Sequence, residues 1–409
     1  MRVFQPLANP HIAKLWAALA TAAVGDELFK VALVWLAVEA VGERAAYVSA
    51  ISSLALLTAA ALGGRFLDNR DPRSVMISTG IVRSLGVLIP VVVVTSGGSV
   101  ILGFACAAII VAGARGQFDP AMQSSLPRLS RSPAELLAIN GLADGTVRLA
   151  RLIGPALAGP LAALIPILHF FTANAVLMTV AWMLLLGLPR LAPREPGPQE
   201  MRGLLASVAI VQRTRPLRIM LLASMITNAT WIVSITFGLA LLVQERQPTF
   251  LGVGGIGAYS LLIALYGLSN LTSNIVHASR QTPPSFRRAY VGQGLGGVGM
   301  ILIGSVITLA PTELLLPGLA LACMVIAIGG PMHDLRLLTV IQGSGPTATV
   351  SGVFRVRIIT QHIGLLCGTL AAPTLLATLG IPRTVFAMGA IQTVATVIAW
   401  RRLRRLGLR

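Results

Sequence analysis

The stretch HIAKLWAALATAAVGDELFKVALVWLAVEAV, His11–Val41, decides how this chain is read. A helix needs roughly 20 mostly apolar residues to cross a bilayer, and this run exceeds that while placing Asp26, Glu27 and Lys30 about halfway along. Stretches of the same kind recur to the end of the chain, at about 13–40, 45–67, 74–95, 98–119, 138–162, 165–188, 217–243, 250–276, 289–310, 313–334, 352–379 and 382–400. Twelve such segments in 409 residues leave short loops and no room for a sizeable soluble domain. The composition agrees: 55% of residues are hydrophobic and 11% charged, against about a quarter charged in an ordinary soluble domain. A solvated globular enzyme and a disordered chain are both excluded. The expected fold class is all-α, a polytopic membrane protein of twelve transmembrane helices in two six-helix halves.

The net charge of +18 comes from 32 basic and 14 acidic residues, and Lys14 and Lys30 are the only lysines. Taken alone, that balance suggests nucleic acid. Here the basic residues alternate with bilayer-length apolar stretches, so no nucleic-acid partner is expected. Positive loops stay in the cytoplasm, and the arginines fall in every second gap: Arg70 and Arg73, Arg128 and Arg131, Arg190 to Arg215, Arg280 to Arg288, Arg336, and the tail from Arg401. The other gaps hold only Arg44, Arg246 and Arg383, beside Glu39, Glu43, Glu245 and Glu313. Both termini are therefore expected in the cytoplasm, with the arginine collar facing anionic lipid. The N-terminus lacks the basic, apolar and cleavable regions of a signal peptide, so the first span is expected to be retained. Cys106, Cys323 and Cys367 lie inside apolar stretches without ligand spacing, so no metal centre or disulfide framework is expected.

Prolines at 189, 193, 196 and 198 divide the chain. The expected organisation is a six-helix bundle over 1–189, a cytoplasmic linker over 190–216, and a second bundle over 217–409 with a basic tail. A weak internal echo supports duplication: FDPAMQSSLPRL and INGLADGTVRLARLIG in the first half answer GGPMHDLRLLTV and VSGVFRVRIITQHIG in the second. Such repeats are the mark of transporters whose substrate site lies at the repeat interface near the midplane.

Ionisable residues at membrane depth are the natural places to look for mechanism. Asp26 and Lys30 are four apart on one helical face, with Glu27 about 100° away. Asp26 and Lys30 then form a self-neutralising pair that fixes packing, or one carboxylate binds and releases a proton, since a low dielectric favours its neutral form. In the fifth span Asp144, Arg148 and Arg151 share one stripe. Its excess positive charge is met by Glu27 or Asp26, or by an anionic substrate group, both of which suit a guanidinium. Gly154, Pro155, Gly159 and Pro160 follow, a set that bends the helix and admits a close neighbour. The second half offers less: Asn228 and His362 are its candidates, and a lone His at such a place is a packing residue or a relay.

Between the second and third spans the chain reads GGRFLDNRDPRSVM, 63–76. This resembles the signature loop of the major facilitator superfamily, with Gly64, Asp68 and Arg73 at the matching glycine, aspartate and last basic positions. Asn69, Asp71 and Pro72 depart from the pattern. The resemblance implies that Asp68 contacts charged residues at neighbouring cytoplasmic helix ends, with Arg115 as partner, and holds the outward-facing state closed. Gly154, Pro155 and Gly159 look like the family's antiporter signature. GDELFKVALVWLAVEAVG and PRLSRSPAELLAINGL are similar to the branch of bacterial drug and siderophore exporters that includes the enterobactin exporter. The implied function is proton-antiport efflux of a small organic molecule across the bacterial inner membrane, driven by the proton gradient with no cofactor, by a monomer. The proton site falls among Asp26, Glu27 and Asp144, with Lys30, Arg148 and Arg151 for charge balance or substrate. A lipid flippase of the same fold and a non-transporting sensor remain alternatives.

Overall fold

The first helix begins where the sequence supplies its cap. The Asn9 side chain accepts a hydrogen bond from the His11 N–H at 3.0 Å, Pro10 occupies the first helical position, and α1 runs over Pro10–Val41. Asn at the cap and Pro just inside match the groups that a helix start leaves unpaired. Gly42, at φ 58°, ends it in a conformation that a side chain would strain. The computed structural model describes residues 6–67, 70–191, 200–278, 285–343 and 347–407.

The remaining helices are α2 (Ala46–Leu67), α3 (Pro72–Gly86), α4 (Ile89–Thr95), α5 (Val100–Leu129), α6 (Pro133–Ala162), α7 (His169–Leu185), α8 (Glu200–Arg213), α9 (Arg215–Trp231), α10 (Leu239–Arg246), α11 (Gly255–Ala278), α12 (Phe286–Leu309), α13 (Thr312–Gln342), α14 (Thr347–Leu379) and α15 (Ile381–Arg404). Every apolar stretch picked out by the sequence contains at least one helix. Among the described residues, eight helical segments are long and apolar enough to cross a membrane. The charge-bearing α1 and α6, together with α2 and the shorter α7, stand outside that set. The chain is thus an all-helical, multi-pass membrane protein.

Three details differ from the sequence expectation. The stretch 74–95 is two helices, α3 and α4, parted at Val87 and Leu88 just before Pro90, which has no N–H to continue the ladder. The stretch 217–243 is α9 and α10 joined through a π-helical turn over Ile232–Gly238. Within the expected linker, residues 200–213 form α8, and its Ser207 and Val211 are buried.

The chain forms two compact units, 1–196 and 197–409. In the first, α1 packs on α6 and α7, while α5 packs on α2 and α3. Ile12, Leu15, Met76, Phe118, Met178 and Leu185 share one core. A second aromatic contact sets Phe29 and Phe104 against Phe171, with ring centroids 5.5 and 5.8 Å apart. In the second unit, α12 lies between α13 and α15, α11 packs on α13, and α14 packs on α8 and α9. There the small residues decide the spacing: a Cβ on Gly329 would run into the Gly292 carbonyl, so α12 and α13 meet backbone to backbone. Leu217, Met220, Tyr290, Leu337, Val353 and Leu403 pack together near one end of this unit.

Candidate functional site

Asp26 sits in α1 immediately after Gly25, whose missing side chain lets α7 come close: a Cβ there would run into Asn174. The carboxylate turns toward α3 and α5. Arg83 of α3 donates to it at 2.5 Å and Arg115 of α5 lies 3.6 Å away. Arg83 is 3% exposed and Asp26 13%, so this is an ion pair taken out of solvent. The Phe118 ring lies against the Arg83 guanidinium, 5.6 Å from its carbon to the ring centroid. Arg115 also meets Asp119 one turn along α5 at 3.4 Å. Two arginines and two aspartates therefore form one nearly neutral chain of charge across three helices.

Of the two readings of that face, the Asp26–Lys30 pair is not among the described contacts. Lys30 donates instead to Glu27 at 2.6 Å, because residues three apart also share a helical face. Asp26 is held by tertiary partners that the spacing rule within one helix does not see. Glu27 lies against α6, where Gly154 receives it: a Cβ on Gly154 would run into the Glu27 side chain. The Trp16 indole donates to Thr146 at 2.8 Å and ties the same two helices together.

The Asp144, Arg148 and Arg151 stripe balances itself only in part. Arg148 donates to Asp144 at 2.8 Å within α6. Asp26 pairs with Arg83 and Arg115 and Glu27 with Lys30, so among the described contacts neither carboxylate meets this stripe, and an anionic substrate group stays the other alternative. Arg151 is exposed. The helix continues through Pro155 and Pro160, with Pro155 buried, Gly159 half-buried and Pro160 exposed.

Arg73 donates to the carbonyl oxygens of Leu185 and Leu186 at 3.4 and 2.7 Å, satisfying the open end of α7. Asp71 caps α3 through the Arg73 N–H at 3.0 Å and accepts from the Leu191 N–H at 3.1 Å. Asp68 and the setting of Gly64 lie outside the described residues. In the second unit, Asn228 donates to the Ser224 carbonyl at 2.8 Å, and His362 Nδ1 lies 2.9 Å from the Ile358 carbonyl. Each side chain bonds its own helix, and the described contacts do not join them into a cluster.

Sequence reasoning missed Arg83. The signal was present, since Arg83 stands in the middle of the apolar stretch 74–95. The same test of depth that selected Arg148 selects it too. It also missed a buried amide and hydroxyl cluster in the second unit. There Thr230 donates to Gln392 at 2.7 Å, Gln392 donates to the Gln293 carbonyl at 3.0 Å, and Gln293 donates to Thr227 at 2.8 Å. No group of three or more His, Cys, Asp or Glu suited to a metal ion occurs among the described residues.

The family model described as Major Facilitator Superfamily matches residues 15–357. No curated protein sequence matches the chain. Among solved structures, the chain is similar to a peptide transporter POT variant, at 13% identity and TM-score 0.78, covering 97% of this chain and 95% of that one. It is also similar to a D-xylose–proton symporter, at 13% identity and TM-score 0.74, covering 96% and 97%. A third is a POT family transporter in complex with 5-aminolevulinic acid, at 14% identity and TM-score 0.74, covering 95% and 94%.

Proposed function

From the premise that this chain belongs to the major facilitator superfamily, and is a membrane transporter rather than an enzyme, we propose that it couples proton movement to the export of a small organic molecule. The observation that carries the coupling is Asp26, a carboxylate enclosed in the first unit and shared by Arg83 and Arg115. A proton added to Asp26 cancels the charge that holds both guanidiniums. The α3 and α5 contacts to α1 then weaken together, which turns a protonation event into a change of helix packing. Glu27 is the second proton candidate and carries Lys30 as its counter-charge. Asp144 is the third, and at 64% exposure it is the most accessible of the three. The exposed Arg151 serves an anionic group on the cargo.

Export rather than import, and a cargo resembling a siderophore or drug, rest on the motifs in α1 and α6. The protein acts as a monomer in the bacterial inner membrane with both termini cytoplasmic, and the proton gradient is its energy source. The test is transport in inverted vesicles with an imposed pH gradient, using ethidium and a catechol siderophore as probes. Asp26→Asn, compared at equal amounts of protein in the vesicles, is expected to lose pH-driven accumulation of the probe. Unimpaired pH-driven transport by that variant removes Asp26 from the mechanism. Transport driven in the opposite direction by the same gradient removes the export reading.

A further inference from the structure

Arg83 has a second edge that the Asp26 contact does not use. Its Nε–H is buried without a hydrogen-bond partner among the described residues. The Trp182 indole Nε1–H on α7 is in the same condition. Both residues line one small cavity of the first unit, walled by α1, α3, α5 and α7, with Ala22, Gly80, Phe118 and Met178 around them. Gly80, one turn before Arg83, is what lets the indole in: a Cβ there would stand 2.7 Å from the Trp182 Cβ. The centre of a water-sized sphere has about 10 Å³ to occupy, which is about what a single water needs.

We propose that this cavity binds one ordered water that accepts from Arg83 Nε–H and Trp182 Nε1–H. Both protein groups are donors only, so the occupant must be an acceptor. Leaving two such donors unpaired in a buried place is costly, and a water oxygen with two lone pairs satisfies both. Charge selects water over an anion. Arg83 and Arg115 are already matched by Asp26 and Asp119, and neither Trp182 nor the rest of the wall adds a positive charge. The water's own hydrogens face the Phe118 ring and the Met178 sulfur, both weak acceptors. Trp182 is then a positioning residue. Through the water it fixes the plane of the Arg83 guanidinium, and with it the angle at which Arg83 meets Asp26.

Hydroxyl-radical labelling generated by X-ray radiolysis reads this directly, because a bound water oxidises side chains beside it. The full-length protein in lipid nanodiscs is exposed, and oxidation of each methionine is followed by mass spectrometry. Met178 and Met220 are both buried, at 2% and 0% exposure, but only Met178 lines the cavity. In the unmodified protein, Met178 is expected to oxidise several-fold faster than Met220. Trp182→Phe removes one donor and is expected to bring Met178 down toward the Met220 rate. Equal slow rates for the two methionines in the unmodified protein mean a dry cavity and overturn the proposal. So does fast Met178 labelling that survives in a folded Trp182→Phe variant. Slow Met178 labelling in chloride that rises when chloride is replaced by gluconate assigns the site to an anion and overturns it as well.

Discussion

Asp26→Asn leaves the Arg83 guanidinium, 3% exposed, with no counter-charge at 2.5 Å. Arg115 does not suffer in the same way, because Asp119 still stands 3.4 Å from it. At an effective dielectric of about 20, the Asp26–Arg83 contact is worth about 7 kcal/mol of gross attraction and the 3.6 Å contact to Arg115 about 5 kcal/mol. Desolvation offsets most of that, and removing one member of a buried pair costs about 3–5 kcal/mol net. Arg83→Met is milder, since Asp26 keeps Arg115. The double variant Asp26→Asn/Arg83→Met leaves no isolated charge and is expected within about 2 kcal/mol of the unmodified protein. The order of stability is then unmodified protein, double variant, Arg83→Met and Asp26→Asn, with a coupling of at least about 2 kcal/mol between the two positions. Thermal unfolding of the four purified proteins in one detergent, with urea titration to obtain free energies, reads the order. Two effects that simply add would refute the reasoning. So would Arg83→Met being the more damaging single change.

Two more packing predictions follow from glycine positions. Gly154→Ala forces a methyl group against the Glu27 side chain and is expected to cost about 1–3 kcal/mol, read as lower thermal stability and faster proteolysis between α1 and α6. Gly296→Ala displaces the Gln392 amide, so it is expected to cost about 1–2 kcal/mol in the unmodified background and much less in Gln392→Ala, where the space is free; a double-mutant cycle by thermal unfolding checks this.

The helices were legible because a bilayer-length apolar run announces itself by composition, whatever its neighbours. Pro90 was visible as well, but that it divides α3 from α4 depends on where the chain bends. The π-helical turn over Ile232–Gly238 had no sequence signature: its residues read as one more stretch of apolar helix. The site was legible in part. Asp26 and Glu27 stand out because a charge inside an apolar run is costly, but the sequence offers as partners only Lys30 along α1 and the arginine stripe of α6. Spacing sees neighbours on one helix, whereas the Asp26 partners arrive from α3 and α5. Arg83 is harder to read for a related reason: an arginine in such a chain is first of all a topology marker, and those markers lie in the gaps between spans. Gly25 and Gly80 carry no chemistry that a sequence displays, and Gly154 signals a close neighbour without saying which. Their role lies in Asn174, Trp182 and Glu27 standing where a side chain would otherwise be.

Lysine is almost absent from this chain, and its two copies stand in contrasting places. Lys30 is salt-bridged to Glu27 at 2.6 Å, while the Lys14 amine is 3.5 Å from the carbonyl of Gly187, just past α7. Amine-selective reagents therefore meet only two side chains in the whole molecule, both on α1. Acylation of Lys30 breaks its bridge to Glu27, so its rate reports how often that bridge opens, with Lys14 as an internal standard on the same helix. A protein nearly devoid of lysine has in this way left one chemical reporter beside Asp26 and a second to calibrate it.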